Sequence, residues 1–312
     1  MTVLLIDSPN YGSLDYLIEG LENEGIDYQR IDTCKFPIAS NSSLYINKNE
    51  VMIKYNNLNL KNINSVFFQG FGSPKVSEII TNEIVQNYIK SESEEYILSL
   101  FNLMNVYWIN NPNSSLLAEN KPRQLRIATE LEMNIPNSLL TNDPQEVRKF
   151  YDKHKMMIIK PLKINLIHEE NEKKVMFTRL ISDDETAFEN VRYSPCFFQE
   201  YINKSLELRV FVIHDKVFSV AIYSQETEMS KIDWRRASVN LKIEEYHLRE
   251  DIAEKCIQLT KKLGLEYGAI DMIIDKDENH YFLEINPTGE WAWFEIKSGV
   301  KIRKALINRL TK

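Results

Sequence analysis

Apolar positions recur along this chain at two spacings, every second residue and every third or fourth, and the switches between them set out the order of elements. Thr2 to Ile6 is a short, apolar, β-branched run closed by Asp7-Ser8-Pro9-Asn10, and it reads as a strand. From Leu14 to Glu24, the residues Leu14, Leu17, Ile18 and Leu21 share one helical face. Residues 65–68, SVFF, form a second buried strand before the glycine-bearing turn QGFGSP. Glu78 to Met104 reads as one long helix or two, and Val106 to Ile109 as a strand broken by Asn110-Asn111-Pro112-Asn113. Strand, helix and strand in this order predict a small α/β domain over residues 1–115.

Beyond it, Pro122 suits the first turn of a helix on which Leu125, Ala128 and Leu131 share a face, and Pro136 ends that pattern. Residues 156–161 and 195–202 read as strands, and residues 206–213 and 216–224 as a hairpin around His214-Asp215. The clearest helix spans 248–263, with Leu248, Ile252, Cys256, Leu259 and Leu263 in one stripe and Gly264 as its stop. Two strands, GAIDMIID and HYFLEIN, flank DKDE, and the tail from Val300 to Leu310 is helical.

The 312 residues are 43% hydrophobic, enough for a large core and two or three packed units. A formal charge of -7 argues against a generic nucleic-acid surface, while leaving room for a local basic cleft. Cys34, Cys196 and Cys256 form no CxxC pair, and the histidines show no metal-ligand spacing. The N-terminus is too short in apolar residues for a signal peptide, and no apolar run approaches the roughly 20 residues that span a bilayer. The expectation is a soluble, cytoplasmic protein without membrane or nucleic-acid partners.

Two carboxylates interrupt apolar strands. Asp271 lies between Ile270 and Met272, and Glu284 between Leu283 and Ile285. A hairpin folded about the midpoint between Asp277 and Glu278 makes them direct cross-strand neighbours, with Asn286 on the face of Glu284. Such an oxygen-rich patch suits Mg²⁺, which favours oxygen ligands and retains water. Calcium or another metal would use similar groups, and a solvated sheet face with Asn286-Pro287 starting a turn has the same pattern. Lys121, Lys160 and Arg209 could together neutralise a polyphosphate without a P-loop, although each alone has an ordinary surface reading. The backbone of the Glu200-Tyr201-Ile202 link could read adenine and Glu207 could reach ribose hydroxyls; an ordinary sheet edge explains those residues as well. Trp291 and Trp293 fit either a peptide cleft or aromatic core packing.

The ordered set ENKPRQL, IIKP, QEYINKSLELRVFVI, GAIDMIID and YFLEINPTGEW resembles the ATP-grasp ligases over roughly residues 105 to 312. More narrowly it resembles the graspetide synthetases, which cyclise ribosomal peptides of the microviridin, plesiocin and thuringinin kinds. The resemblance implies a mixed α/β and α+β chain, with an N-terminal α/β domain over 1–115 and two subdomains, 116–194 and 195–312, enclosing ATP. It implies Lys121 and Lys160 on the phosphates, Gln199, Glu200, Tyr201 and Ile202 along adenine, Glu207 at the ribose and Arg209 near the transferred phosphate. It also implies Asp271, Glu284 and Asn286 as Mg²⁺ ligands and Arg235 beside the acidic peptide. The glycine-rich lid of many ATP-grasp enzymes is missing: KPLKINLIHEENEKKVMFT carries no glycine from Lys160 to Thr178, and Lys163 and Lys174 stand as lid contributors or as a solvated basic loop.

By the same resemblance, an Asp or Glu side chain of a precursor peptide with a leader and an acidic core attacks the γ-phosphate of ATP. A Ser or Thr hydroxyl then displaces phosphate to close a macrolactone, and a homodimer is compatible with this activity. The alternatives are macrolactam closure by Lys, a different ATP-grasp carboxylate–amine ligase, and a catalytically silent peptide-binding protein.

Overall fold

The computed structural model describes residues 1–7, 12–163, 166–169, 172–181, 188–236 and 241–312, with the backbone alone for 166–169 and 172–175. The first unit contains β1 (Thr2–Asp7), α1 (Gly12–Asn23), β2 (Asp27–Asp32), β3 (Ser42–Ile46), β4 (Val51–Tyr55), β5 (Leu58–Asn59), β6 (Ser65–Phe68), α2 (Glu83–Asn102) and β7 (Tyr107–Ile109). Strands β2, β1, β6 and β7 pair in parallel in that order, and β3, β4 and β5 form a separate antiparallel meander. The helix expected over 78–104 is one uninterrupted helix that begins at Glu83, where the Asn82 side chain accepts from the Ile84 and Val85 amides. β1 and β6 read as apolar runs because both are buried on both faces, as parallel strands require.

The second unit begins with α3 (Pro112–Ala118) and α4 (Lys121–Glu130), followed by β8 (Ser138–Thr141), α5 (Pro144–His154), β9 (Met157–Lys160), β10 (Leu166–Glu169), β11 (Glu172–Val175), β12 (Arg179–Ile181) and β13 (Cys196–Glu200). The order β12-β9-β13-β8 makes one antiparallel sheet, and β10 and β11 form a hairpin of their own. Because β13 hydrogen-bonds to β8 and β9, we place the division between the second and third units after Glu200 rather than before residue 195. Lys163 is exposed, and the side chain of Lys174 lies outside the described residues.

The third unit holds β14 (Lys204–Ile213), β15 (Lys216–Ile222), β16 (Ile243–Glu245), α6 (Glu250–Lys262), β17 (Tyr267–Asp275), β18 (His280–Asn286), α7 (Ala292–Ser298) and α8 (Ile302–Leu310). Its sheet runs β16-β15-β14-β17-β18, all antiparallel. One face buries Leu208, Val210, Ile270, Met272 and Ile285 against Cys256 and Leu259 of α6 and Leu125 and Ala128 of α4. The opposite face carries Phe211, Ile213, Tyr267 and Ala269, packed on Trp291, Phe294 and Leu306 and on Val3, Leu5, Leu14 and Phe67 of the first unit. Alternation along β14 and β17 puts Glu207, Arg209, Asp271 and Ile273 on this second face as well, at its other end.

Asn110 locks the first unit to the third. It is 1% exposed, donates Nδ2 to the Tyr267 and Pro287 carbonyls at 2.8 Å each, and accepts on Oδ1 from the Glu266 and Tyr267 amides at 2.7 and 2.9 Å. Asn110→Ala is expected to destabilise the fold by about 3 kcal/mol, because it strands the backbone groups that the Asn110 amide satisfies. Equilibrium unfolding in denaturant checks this; an unchanged midpoint would show that the four bonds are replaceable.

Candidate active site

The charged end of the second sheet face looks across a pocket to the central sheet. Ile158, Lys160 and Gln199 line it from β9 and β13, and Glu207, Asp271 and Ile273 from β14 and β17. The segment from Ile232 to Arg235 and the first residue of α4, Lys121, close its sides, and Glu200, Tyr201 and Ile202 form the connection between the two sheets. Ten of the twelve residues expected to act thus line one pocket. Arg209 and Asn286 do not line it but stand beside Asp271: Arg209 Nη1 donates to Asp271 Oδ1 at 2.7 Å, and Asn286 Nδ2 lies 3.4 Å from Asp271 Oδ2.

Asp271 and Glu284 are direct register partners, as the sequence predicts, but the hairpin reaches this by another route. Ile274 pairs with His280, Ile273 with Tyr281 and Met272 with Phe282, so the hairpin turns about Asp277. Continued unbroken, that register would put Glu284 opposite Ile270 and on the other face. A β-bulge leaves Leu283 as the extra residue and restores Glu284 to Asp271, with Leu283 and Glu284 both on the pocket wall.

Each of these carboxylates has a cation. Glu284, 8% exposed, accepts from Lys121 Nζ. Burial pushes the Glu284 carboxyl up, but the charges of Lys121, Lys160 and Arg235 outweigh it and hold the group well below the usual carboxylate range. Arg209, 6% exposed, reaches Asp271 from the directly opposed position on β14, and its Nε is buried without a hydrogen-bond partner among the described residues. Asp233 receives Nε and Nη2 of Arg235 at 2.8 and 3.0 Å; burial would raise its carboxyl, yet the Arg235 fork keeps it depressed. Glu207 has Lys204 Nζ at 2.8 Å, but here burial prevails and the carboxyl is pushed up. The Glu200 side chain is engaged by Asn137 and by His154 at 3.0 Å. Lys160 has no ion-pair partner among the described residues; desolvation lowers its ammonium to about 8 despite the opposing charge of Glu284.

Three contributors escaped the sequence reading. Lys204 and Asp233 serve as partners for Glu207 and Arg235, and only the folded pairing reveals them. Gln124 lies one turn after Lys121 and contacts β18. Of the two tryptophans, Trp291 is fully buried, whereas Trp293 stacks at 6.0 Å on Trp234, which itself lines the pocket.

No group of three or more His, Cys, Asp or Glu side chains suited to a metal exists among the described residues. The oxygen set is two carboxylates and one amide, which fits Mg²⁺ better than Zn²⁺, because magnesium keeps waters and shares substrate phosphate oxygens.

A family model described as the RimK-like ATP-grasp domain matches residues 117–310. The chain belongs to that family, and it is a ligase of the ATP-grasp type. An ATP-grasp ligase from Chryseobacterium gregarium, RiPP-associated and solved in complex with ADP and a leader and core peptide, is 25% identical with a TM-score of 0.92, covering 99% of this chain and 96% of its own. The macrocyclase MdnC of Microcystis aeruginosa MRC, bound with precursor peptide MdnA, is 27% identical with a TM-score of 0.88, covering 100% and 99%. A probable alpha-L-glutamate ligase of Histophilus somni (strain 2336) is 26% identical over 220 residues, 69% of this chain and 71% of that protein. The fold is therefore that of the graspetide branch along its full length, including the first unit. No helix among the described residues is long and apolar enough to cross a membrane.

Gly289 is where this site tolerates no side chain. A Cβ there would meet Arg209 Nη2 at 2.5 Å, the Ala269 Cβ at 2.6 Å and the Asn286 Cβ at 3.2 Å. Gly289→Ala is expected to displace Arg209 and cut ATP turnover about a hundredfold, since ångström-scale misplacement of a charge-stabilising group has that effect. Steady-state ADP release checks it, and an unaltered kcat would mean that the position of Arg209 is not limiting.

Proposed function

We propose that this enzyme is an ATP- and magnesium-dependent macrocyclase of a ribosomal precursor peptide, joining Asp or Glu side chains of an acidic core to Ser or Thr hydroxyls. The observation that carries the reading is the opposed pair Asp271–Glu284 on a pocket wall that also bears Lys121, Lys160 and Arg235. The full-length likeness to structures holding a leader and core peptide or a precursor peptide supports the peptide as substrate.

Within this reading, the apolar strip of Ile158, Phe177, Ile202 and Leu283 accepts the adenine ring. Tyr201 N–H is spent on the Met156 carbonyl at 3.0 Å, whereas Ile202 N–H has no hydrogen bond among the described residues and is free to read the ring edge. Glu207 faces the ribose, and Lys121 and Lys160 hold the phosphates. Asp271, Glu284 and Asn286 would hold magnesium, which when bound offsets the charge of the phosphate oxygens. Arg235, kept in place by its fork on Asp233, meets the substrate carboxylate. That carboxylate attacks the γ-phosphorus, ADP leaves, and Arg209 balances charge on the transferred phosphoryl group. The peptide hydroxyl then attacks the acyl carbon, its proton departs, and phosphate leaves as the ester forms. No nucleophile from the enzyme enters either step.

The likeness to a probable alpha-L-glutamate ligase favours a second reading, in which a free amine rather than a peptide hydroxyl takes the acyl group. One measurement separates the two. Incubation of a cognate precursor with enzyme, ATP, magnesium and free glutamate is expected to lower the peptide mass by about 18 Da per ring, as loss of one water requires. A gain in mass would instead indicate addition of an amino acid, and no change with a verified precursor would sink both readings.

Lys160 predicts a pH dependence. Its ammonium, normally near 10.5, sits at about 8 in the free pocket, so it is charged below that pH and neutral above it. A polyphosphate binding above about pH 8 must first restore the proton. ADP affinity is expected to be level below about pH 8 and to fall above it by up to about tenfold per unit, and Lys160→Arg should flatten the fall because a guanidinium stays charged. Calorimetric titration across this range checks both; an unchanged slope in the variant would remove Lys160 as the cause.

A further inference from the structure

The side chain that joins α4 to the oxygen-bearing strand is uncharged. Gln124 is 2% exposed, and every polar hydrogen and oxygen function of its amide is engaged. Nε2 donates to the Ala118 carbonyl at 2.6 Å and to the Ile285 carbonyl at 2.9 Å, and Oε1 accepts from the Ile285 amide at 3.0 Å. β18 is the edge strand of its sheet, so Ile285 has no neighbouring strand on that side and Gln124 pairs with it as a further strand would. Ile285 stands between Glu284 and Asn286, two of the three oxygen-bearing residues. Gln124 and Lys121 are three apart and share a face of α4, so the bond to Ile285 also determines where the Lys121 ammonium meets Glu284.

We propose that Gln124 is a positioning residue, holding α4 and β18 at a fixed separation so that Lys121 and the Glu284 and Asn286 oxygens present one rigid surface to magnesium and phosphate. This rests on the nucleotide-binding reading given above. The amide cannot be exchanged for packing alone. Met fills the same volume without any of the three bonds, and Glu keeps the acceptor for the Ile285 amide while losing both donors and turning a second oxygen on two carbonyls. A residue that served only the core would accept Met at small cost.

The test compares wild type, Gln124→Met and Gln124→Glu by calorimetric titration with ADP, in magnesium and in EDTA, alongside hydrogen exchange at the Ile285 amide and thermal unfolding. Gln124→Met is expected to bind ADP in magnesium about tenfold more weakly, as loss of a group that orients metal ligands does, with affinity in EDTA little altered and Ile285 exchange accelerated. Gln124→Glu should bind at least as weakly as the Met variant, because its second oxygen faces two carbonyls, and it decides the matter if the Met variant does not fold. Binding in magnesium within about twofold of wild type, by whichever variant folds, would overturn the inference. Wild type that bound no ADP in magnesium would overturn the nucleotide reading and this inference with it, whereas wild type that bound and a variant equal to it would overturn the inference alone.

Discussion

Two ionised carboxylates facing each other across adjacent strands repel by several kcal/mol in a partly desolvated setting, about 4 kcal/mol at 4 Å and an intermediate dielectric. Asp271 and Glu284 are in that position, and the second and third units together meet the demand from two directions. The sheet supplies Arg209 from the next strand, in direct register with Asp271. The helix α4 supplies Lys121 from outside the sheet, against Glu284. Remove either cation and a largely desolvated carboxylate loses its ion-pair partner, which costs more than the pair itself contributes. The packing of α4 on the β18 edge is thus an electrostatic requirement as much as an apolar one.

The first unit participates in this without lining the pocket. Its sheet packs on the same face that bears Arg209 and Asp271, and its polar anchors fall on the stretch just beyond Asn286: Asn110 on the Pro287 carbonyl and Gln69 on the Thr288 carbonyl, each at 2.8 Å. Tyr267, next to the Asn110 clamp, donates its hydroxyl to the Gly289 carbonyl at 2.6 Å. Three successive residues after Asn286 are therefore held from outside the strand, which keeps Gly289 against Arg209 where no Cβ fits. A chain segment restrained at this density turns a flexible guanidinium into a fixed one.

The sequence disclosed what local pattern can carry. Asp271 and Glu284 stood out because each broke an apolar run, and an assumed hairpin axis between Asp277 and Glu278 paired them. It could not place the bulge, since Leu283 is an ordinary apolar residue with no glycine to mark the irregularity, and the pairing came out right although the hairpin axis lies on Asp277. β2 went unread because DYQRID is an edge strand, mostly solvent-facing, whose one fully buried residue, Ile31, leaves no alternation to detect. The β3–β5 meander is similarly half-exposed. Gln124, Lys204 and Asp233 were silent for a different reason: each matters through a partner at least two residues and as many as 161 residues away, and no spacing rule connects them.

One property of the pocket emerges only when its ions are considered together. Lys121 is matched to Glu284, Arg209 to Asp271, Arg235 to Asp233 and Lys204 to Glu207, and among these groups Lys160 alone stands unmatched and has lost affinity for its proton. Under the proposed function, a polyphosphate entering by itself would find nearly every cation occupied by a carboxylate, and a divalent cation entering by itself would find Asp271 and Glu284 both occupied by cations. Entering together, each would free the other's partners, with Asp271 and Glu284 left to face the metal and Arg209 and Lys121 the phosphate. The same four side chains then make as many charge contacts as before, so the exchange avoids the desolvation cost of leaving any of them unpaired. On the proposed function, joint entry would be favoured over either alone, and by linkage the effect would be reciprocal, metal strengthening nucleotide binding by the factor that nucleotide strengthens metal binding. Under the proposed function, the pairing across β14, β17, β18 and α4 would be the resting half of a charge exchange, and cooperativity of metal and nucleotide would follow from strand register.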